Sequence, residues 1–135
     1  MKVYDLDGVV LDLVGHLITH NYLNAPPESY DLDIDWVEIP VSFWATVPKL
    51  DIVLELNRCR LITCCHSTNE RIGKILNLHR LGLYDLSLTI HDPQTPRWWL
   101  LNTDDILYDD NRQNVEDYRA TGGVGVIIQQ PWNLQ

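Results

Sequence analysis

Asp5 and Asp7 stand one residue apart in KVYDLDGVV, after a short apolar run and immediately before Gly8. A second acidic pair, Asp109–Asp110, closes the run ILYDD, and Thr63 closes RLIT. Carboxylates so placed can divide the work of nucleophile and general acid–base, or hold a hard cation through oxygen ligands. The tetrapeptide YDLD also recurs at Tyr30–Asp33, so context must separate chemistry from a solvated turn. Tyr4–Asp7 leads into Gly8, whose backbone freedom suits a tight turn around an ion or phosphate. Tyr30–Asp33 follows APPES and runs on to Asp35 and Trp36. Its alternating acids suggest a calcium loop, but Trp36 stands where glycine is required and Ser42 where glutamate is. The second copy reads as a solvated edge.

The elements that must position these groups alternate along the chain. Strands are expected at Lys2–Tyr4, Arg60–Cys64, Leu86–Ile90, Ile106–Tyr108 and Val124–Ile128. Helices are expected at Asn69–Leu78, Pro96–Leu101 and Asn111–Ala120, the last stopped by Gly122–Gly123. A further helix is expected to open at Pro48, with Leu50, Val53, Leu54 and Leu56 on one face. In the helix after Thr63, Ile72, Ile75 and Leu76 share a face, and Lys74, four residues past Glu70, reads as a surface ion-pair partner. This alternation implies an α/β fold, a three-layer Rossmann-like core around a parallel five-stranded sheet. Ligands of such sheets bind outside the carboxyl ends of the strands. Asp5, Asp7, Gly8, Thr63, Cys64, Asp109 and Asp110 all follow or end strand candidates and would meet there. Asp104–Asp105 precede a strand, fall at the opposite edge, and read as a turn.

The 135 residues suffice for one domain with a real core. A formal charge of −9 argues against a nucleic-acid polymer as partner, and no apolar run is long enough for a membrane span. The start lacks a signal peptide's apolar region. Three cysteines, two of them adjacent, suit a reduced intracellular compartment. The Cys64-Cys65-His66 run lacks zinc spacing and a second ligand cluster. His16, His20, His79 and His91 are scattered and read as surface or satisfied groups.

Crowding four carboxylates at one edge is costly. Each like-charge pair near 4 Å repels by roughly 4 kcal/mol at an effective dielectric of about 20. Either some acids stay protonated or a hard cation sits among them, and few protein oxygens plus a phosphate suit Mg²⁺.

This constellation resembles the haloacid dehalogenase superfamily of phosphohydrolases. The likeness rests on DLDGV at Asp5–Val9, LIT at Leu61–Thr63 and ILYDDN at Ile106–Asn111, in the family's order. The stretch Asp109–Asn133, with its acidic pair, Asn-containing helix, glycine turn, strand and Pro-aromatic-Asn ending, is similar to the deoxyribonucleotidase-like branch and its phage relatives. The resemblance implies a phosphatase in which Asp5 is the nucleophile and Asp7 the general acid and base. Thr63 would bond a phosphoryl oxygen, and Asp109 and Asp110 would hold Mg²⁺ with the Asp5 carboxylate and the Asp7 carbonyl. The family places a lysine between the threonine and the acidic pair. Lys74 lies there but reads as a surface partner; Arg97, twelve residues before Asp109, is the better match by position and is expected to take its place. Should it fail to, the chain would be a non-catalytic phosphate- or metal-binding module.

The resemblance also implies a small cap, here about residues 15–47 within a single domain 1–135. Tyr22, Tyr30, Trp36, Phe43 and Trp44 in it either stack a nucleobase or pack as core; Phe43 and Trp44, with Gly8, Thr63 and Cys64, are the candidate substrate contacts. Asn111 and Arg112 either support the acidic pair or merely begin a helix. The expected substrate is a (deoxy)nucleoside 5′-monophosphate, with a sugar or other small phosphate as the alternative. The expected location is the cytoplasm, that of a host cell if the chain is virus-encoded.

Overall fold

The computed structural model describes residues 1–29, 32–51 and 54–133. Five parallel strands form one sheet: β1 (Lys2–Asp5), β2 (Cys59–Cys64), β3 (Ser87–His91), β4 (Ile106–Asp109) and β5 (Val124–Ile127), in the order β3-β2-β1-β4-β5. The chain runs outward from β1 through β2 to β3, then returns to lay β4 on the other side of β1. That reversal puts a topological switch point between β1 and β4, where the strand ends splay and leave a crevice. Asp5 and Asp109 end those two strands.

Strand residues alternate between two cores, because successive side chains leave opposite faces of a sheet. Val3, Ile62 and Leu107 pack with Val115 and Tyr118 of helix α4 (Arg112–Ala120). Tyr4 and Leu61 face the larger cluster, with Leu6, Val9–Leu11, Leu17, Ile39, Phe43, Trp44, Val47 and Leu78. The segment expected to be a cap thus contributes Ile39, Phe43, Trp44 and Val47 to the same core as the sheet. Past residue 19, its regular pieces among the described residues are a 3₁₀ turn at Trp36–Glu38 and a one-turn helix, α2 (Val41–Trp44). Of the second YDLD copy, Tyr30 and Asp31 lie outside the described residues; Asp33 is exposed.

Two differences from the sequence expectations bear on the site. Pro48 opens no helix: Pro48–Asp51 and Leu54–Leu56 are non-helical, and Val53 lies outside the described residues. The Pro48 carbonyl accepts from Asp12 N–H and Leu50 N–H donates to the Val10 carbonyl, so these groups serve the loop after β1 instead. That loop also launches a helix the pattern did not reveal, α1 (Leu13–Thr19), capped by Asp12 accepting from Gly15 N–H. The second difference is the orientation of α3 (Thr68–Arg80). Ile72, Ile75 and Leu76 do share a face, but it points outward, and Glu70, Gly73, Lys74, Asn77 and Leu78 are buried. Gly73 permits this: a Cβ there would come 2.3 Å from the Trp44 Cβ. Lys74 is therefore an interior residue, not a surface one.

Candidate active site

The carboxyl edge of the sheet opens into a cavity of about 440 Å³. Asp5, Asp7, Gly8, Trp44, Thr63, Cys64, Arg97 and Asp110 all line it. Asp109 lies beneath, fully buried. Phe43 does not take part: its ring packs edge-on against Trp44 and tilted against His16 in the core, because successive residues of the short α2 turn diverge.

Arg97 enters from a 3₁₀ turn (Arg97–Leu100) whose extended lead, Pro96, aims it back over the strand ends. Its Nη1 lies 2.7 Å from Oδ1 of Asp5 and 2.7 Å from Oδ2 of Asp109. Nε donates to Nε2 of His91 at 3.1 Å; Nδ1 of that ring faces the Asp92 carbonyl at 2.8 Å. An acceptor Nε2 fixes the neutral tautomer with its proton on Nδ1, and burial lowers the pKa of this ring. Asp109 also accepts from the Asn111 N–H and from Asn114 Nδ2. Asn111 caps α4 as well, so it both starts the helix and supports the acidic pair. Arg112 instead donates to the Asn133 carbonyl.

The far side of the cavity is organised by Lys74. Its ammonium lies 2.8 Å from Asp7 Oδ2, 2.8 Å from Thr63 Oγ1 and 3.0 Å from the Cys64 carbonyl, and it pairs with Glu70 Oε2 at 2.5 Å. Burial opposes the charge of Lys74, but Asp7 and Glu70 outweigh it and hold the ammonium well above its usual range. Glu70, deeply buried, is held below the usual carboxylate range by His66 and Lys74.

The chain's end closes the site from a third direction. Trp132 Nε1–H donates to Asp110 Oδ2 at 2.8 Å, and Asn133 Nδ2 to the Asp110 carbonyl at 2.7 Å. Gln130 Nε2 reaches the Gly8 carbonyl at 3.0 Å. Gly8 has φ +84°, and a Cβ there would stand 2.2 Å from Asp110 Oδ2. Only glycine lets the loop after β1 press against Asp110.

Comparison with protein-family models, with curated proteins and with solved structures gives no match. The chemistry of the site rests on its own geometry.

That geometry holds a surplus of negative charge. Asp5, Asp109 and Asp110 each offer a carboxylate oxygen within 4.8 Å of one another, all buried. Burial, then Asp109, push the Asp5 carboxyl well above its ordinary range, against the pull of Arg97. The same two causes push Asp110 up to about 7. Its Oδ1 is buried with no hydrogen-bond donor, as is Oδ1 of Asp7. An orphaned carboxylate oxygen among hard oxygen donors fits a small divalent cation such as Mg²⁺. Asp5 and Asp110 would hold it, with Asp109 engaged by Arg97, Asn111 and Asn114. Among the described residues no other His, Cys, Asp and Glu group gathers this way. Burial pushes the Cys64 thiol up to about 11 and Cys65 to about 12, which disfavours the thiolate at both.

The sequence reading missed Lys74, Glu70, His66, His91, Asn114 and Trp132. One signal was present: His91 directly follows a strand candidate, the position that singled out Thr63 and Asp109. For Glu70 and Lys74 the spacing was legible and the burial was not.

Proposed function

We propose that the protein is a Mg²⁺-dependent phosphomonoester hydrolase that works through an aspartyl-phosphate on Asp5. The observation that carries this reading is the gathering of Asp5, Asp109 and Asp110 at the switch point, with Arg97 bonded to the first two. The resemblance to the haloacid dehalogenase phosphohydrolases supports it, with Arg97 in the place of the family lysine.

In the first half-reaction Asp5 attacks phosphorus, the P–O bond to the leaving group breaks, and Asp7 gives that oxygen a proton. In the second, Asp7 takes a proton from water, whose oxygen attacks phosphorus and releases phosphate and the Asp5 carboxylate. Arg97 orients Asp5 and favours its ionised form against burial and Asp109, and Thr63 donates to a phosphoryl oxygen. Bound Mg²⁺ supplies neutralisation of phosphoryl charge. Phosphomonoester hydrolysis can require acceleration near 10²¹, about 28 kcal/mol, which positioning worth some 7–11 kcal/mol cannot supply alone. Covalent attack, proton transfer and two cations share the remainder.

The substrate class we favour is a nucleoside 5′-monophosphate. The Trp36 ring borders the cavity, stacked on His66 at 5.4 Å and 14°, and presents an aromatic wall of the kind a base stacks on. Residues of about 15–47 act as the cap that selects the leaving group. A cytoplasmic site of action suits three free thiols, and no helix among the described residues is long and apolar enough to cross a membrane. The test is phosphate release from nucleoside monophosphates and sugar phosphates, with Mg²⁺ and with chelator. Release that needs Mg²⁺ and disappears in Asp5→Asn supports the reading. Turnover retained in Asp5→Asn sinks it, as does absence of turnover in both the wild type and Arg97→Lys.

A further inference from the structure

Helix α3 has its amphipathicity turned inside out. Ile72, Ile75 and Leu76 are 44%, 41% and 50% exposed, while Lys74 and Glu70 are each 1% exposed. A buried ion pair contributes little net stability, because desolvation of both charges offsets their attraction. Burying this pair while Ile72, Ile75 and Leu76 stay exposed therefore gains little in folding energy. The explanation lies in what Lys74 touches.

Lys74 donates to Thr63 Oγ1. No protein group among the described residues accepts the Thr63 hydroxyl hydrogen, and Thr63 lines the cavity. The hydroxyl's lone pair is engaged from behind, so its hydrogen is turned toward the space a phosphoryl oxygen takes. Lys74 likewise engages Oδ2 of Asp7 and so fixes the orientation of that carboxyl, whose Oδ1 is buried and without a donor. Glu70 holds Lys74 in place through Oε2, and its Oε1 accepts from the His66 backbone N–H and faces Nδ1 of the His66 ring. The Trp44 ring, 5.2 Å from the ammonium, closes the remaining side.

We infer that Lys74 is a positioning residue for the acid–base half of the reaction. It turns the Thr63 hydroxyl toward phosphate and, through Oδ2, fixes the orientation in which the Asp7 carboxyl serves the leaving oxygen. Arg97 serves the nucleophile and Lys74 the leaving group, so the site carries two cations with separate duties. The inference rests on the phosphatase reading, but its phosphate-binding part can be tested without turnover.

The experiment compares wild type, Lys74→Met, Asp7→Asn and the doubly neutral Glu70→Gln/Lys74→Met, which removes the pair as a unit and avoids stranding a buried carboxylate. Thermal melts verify that each is folded. Two substrates are used: an alkyl phosphate, whose leaving oxygen needs a proton, and p-nitrophenyl phosphate, whose phenolate leaves without one. Lys74→Met should lose about 100-fold on the alkyl ester and under about 10-fold on the aryl ester, in line with loss of general-acid catalysis. Asp7→Asn should show the same split, and combining the two should cost little more than Asp7→Asn alone. Separately, inorganic phosphate binding in Mg²⁺, measured by calorimetry, should weaken about tenfold in the doubly neutral variant and in Thr63→Val.

Equal losses on the two esters overturn the proton-transfer role. Unchanged phosphate affinity in the folded double variant overturns the role toward Thr63. Phosphate binding without turnover in wild type would remove the phosphatase reading alone, and the affinity comparison would still decide the Thr63 role. Neither binding nor turnover in wild type overturns both.

Discussion

The guanidinium of Arg97 meets the carboxylate of Asp5 across 92 residues of chain, Nη1 to Oδ1 at 2.7 Å. The same nitrogen bonds Asp109, so one cation ties together the ends of the two strands that flank the crevice. Arg97→Ala should cut Mg²⁺-dependent phosphate release by at least about 100-fold, the scale of removing one preorganised electrostatic contact. It should also destabilise the metal-free protein by about 3–5 kcal/mol, because buried carboxylates lose their partner. Urea unfolding with and without Mg²⁺ checks this; added Mg²⁺ should recover part of the loss.

Asp5→Asn should separate activity from stability. Turnover should fall on the order of 10⁴-fold or more, the scale of deleting a covalent nucleophile. The metal-free melting temperature should rise, because burial and Asp109 both oppose the ionised form of Asp5 in the folded state. A variant that loses both activity and stability would argue that Asp5 is chiefly structural.

The acidic cluster should make the metal-free protein less stable as pH rises. Asp110 has its carboxyl pushed up from an ordinary value of 3.8 to about 7. Folded protein therefore holds this proton more tightly than unfolded protein between those two values. Stability from this group is fully present below 3.8 and declines as pH climbs toward about 7, then levels off. Saturating Mg²⁺ should flatten the slope, because the ion replaces the proton. Urea midpoints between pH 4 and 8, with chelator or with Mg²⁺, measure the difference.

Trp132 orients Asp110 through a single indole N–H bond. Trp132→Phe keeps the ring's bulk and removes the donor, so Mg²⁺ affinity should fall about 10- to 100-fold while the fold persists. Calorimetric titration of Mg²⁺ reads this directly; an unchanged affinity would mean that Asp110 is held by Asn133 and the backbone alone.

Much of the site was legible in sequence because its signals are local. A strand that stops at an acid or a threonine can be read from a few neighbouring residues, and parallel α/β architecture brings such ends to one edge. Asp5, Asp7, Thr63, Asp109 and Asp110 were placed there by that rule, and Gly8 by its turn. Arg97 was found by position relative to Asp109, and its reach to Asp5 follows from how the Pro96 lead folds back over the edge. His91 obeyed the strand-end rule and was passed over as a scattered histidine.

What sequence could not determine is the direction in which a face points. Spacing put Ile72, Ile75 and Leu76 on one side of α3 and Glu70 and Lys74 on another, but periodicity is silent about which side is inside. The tertiary structure decided it through contacts remote in sequence: Asp7 and Thr63 present acceptors to Lys74, and Trp44 lies against Gly73. Phe43 and Trp44 were likewise equal in sequence; both pack in the core, and one turn of helix brought only the second to the cavity wall as well. Local rules set which residues end the strands; the pairing of buried charge across the fold set which helix face meets them.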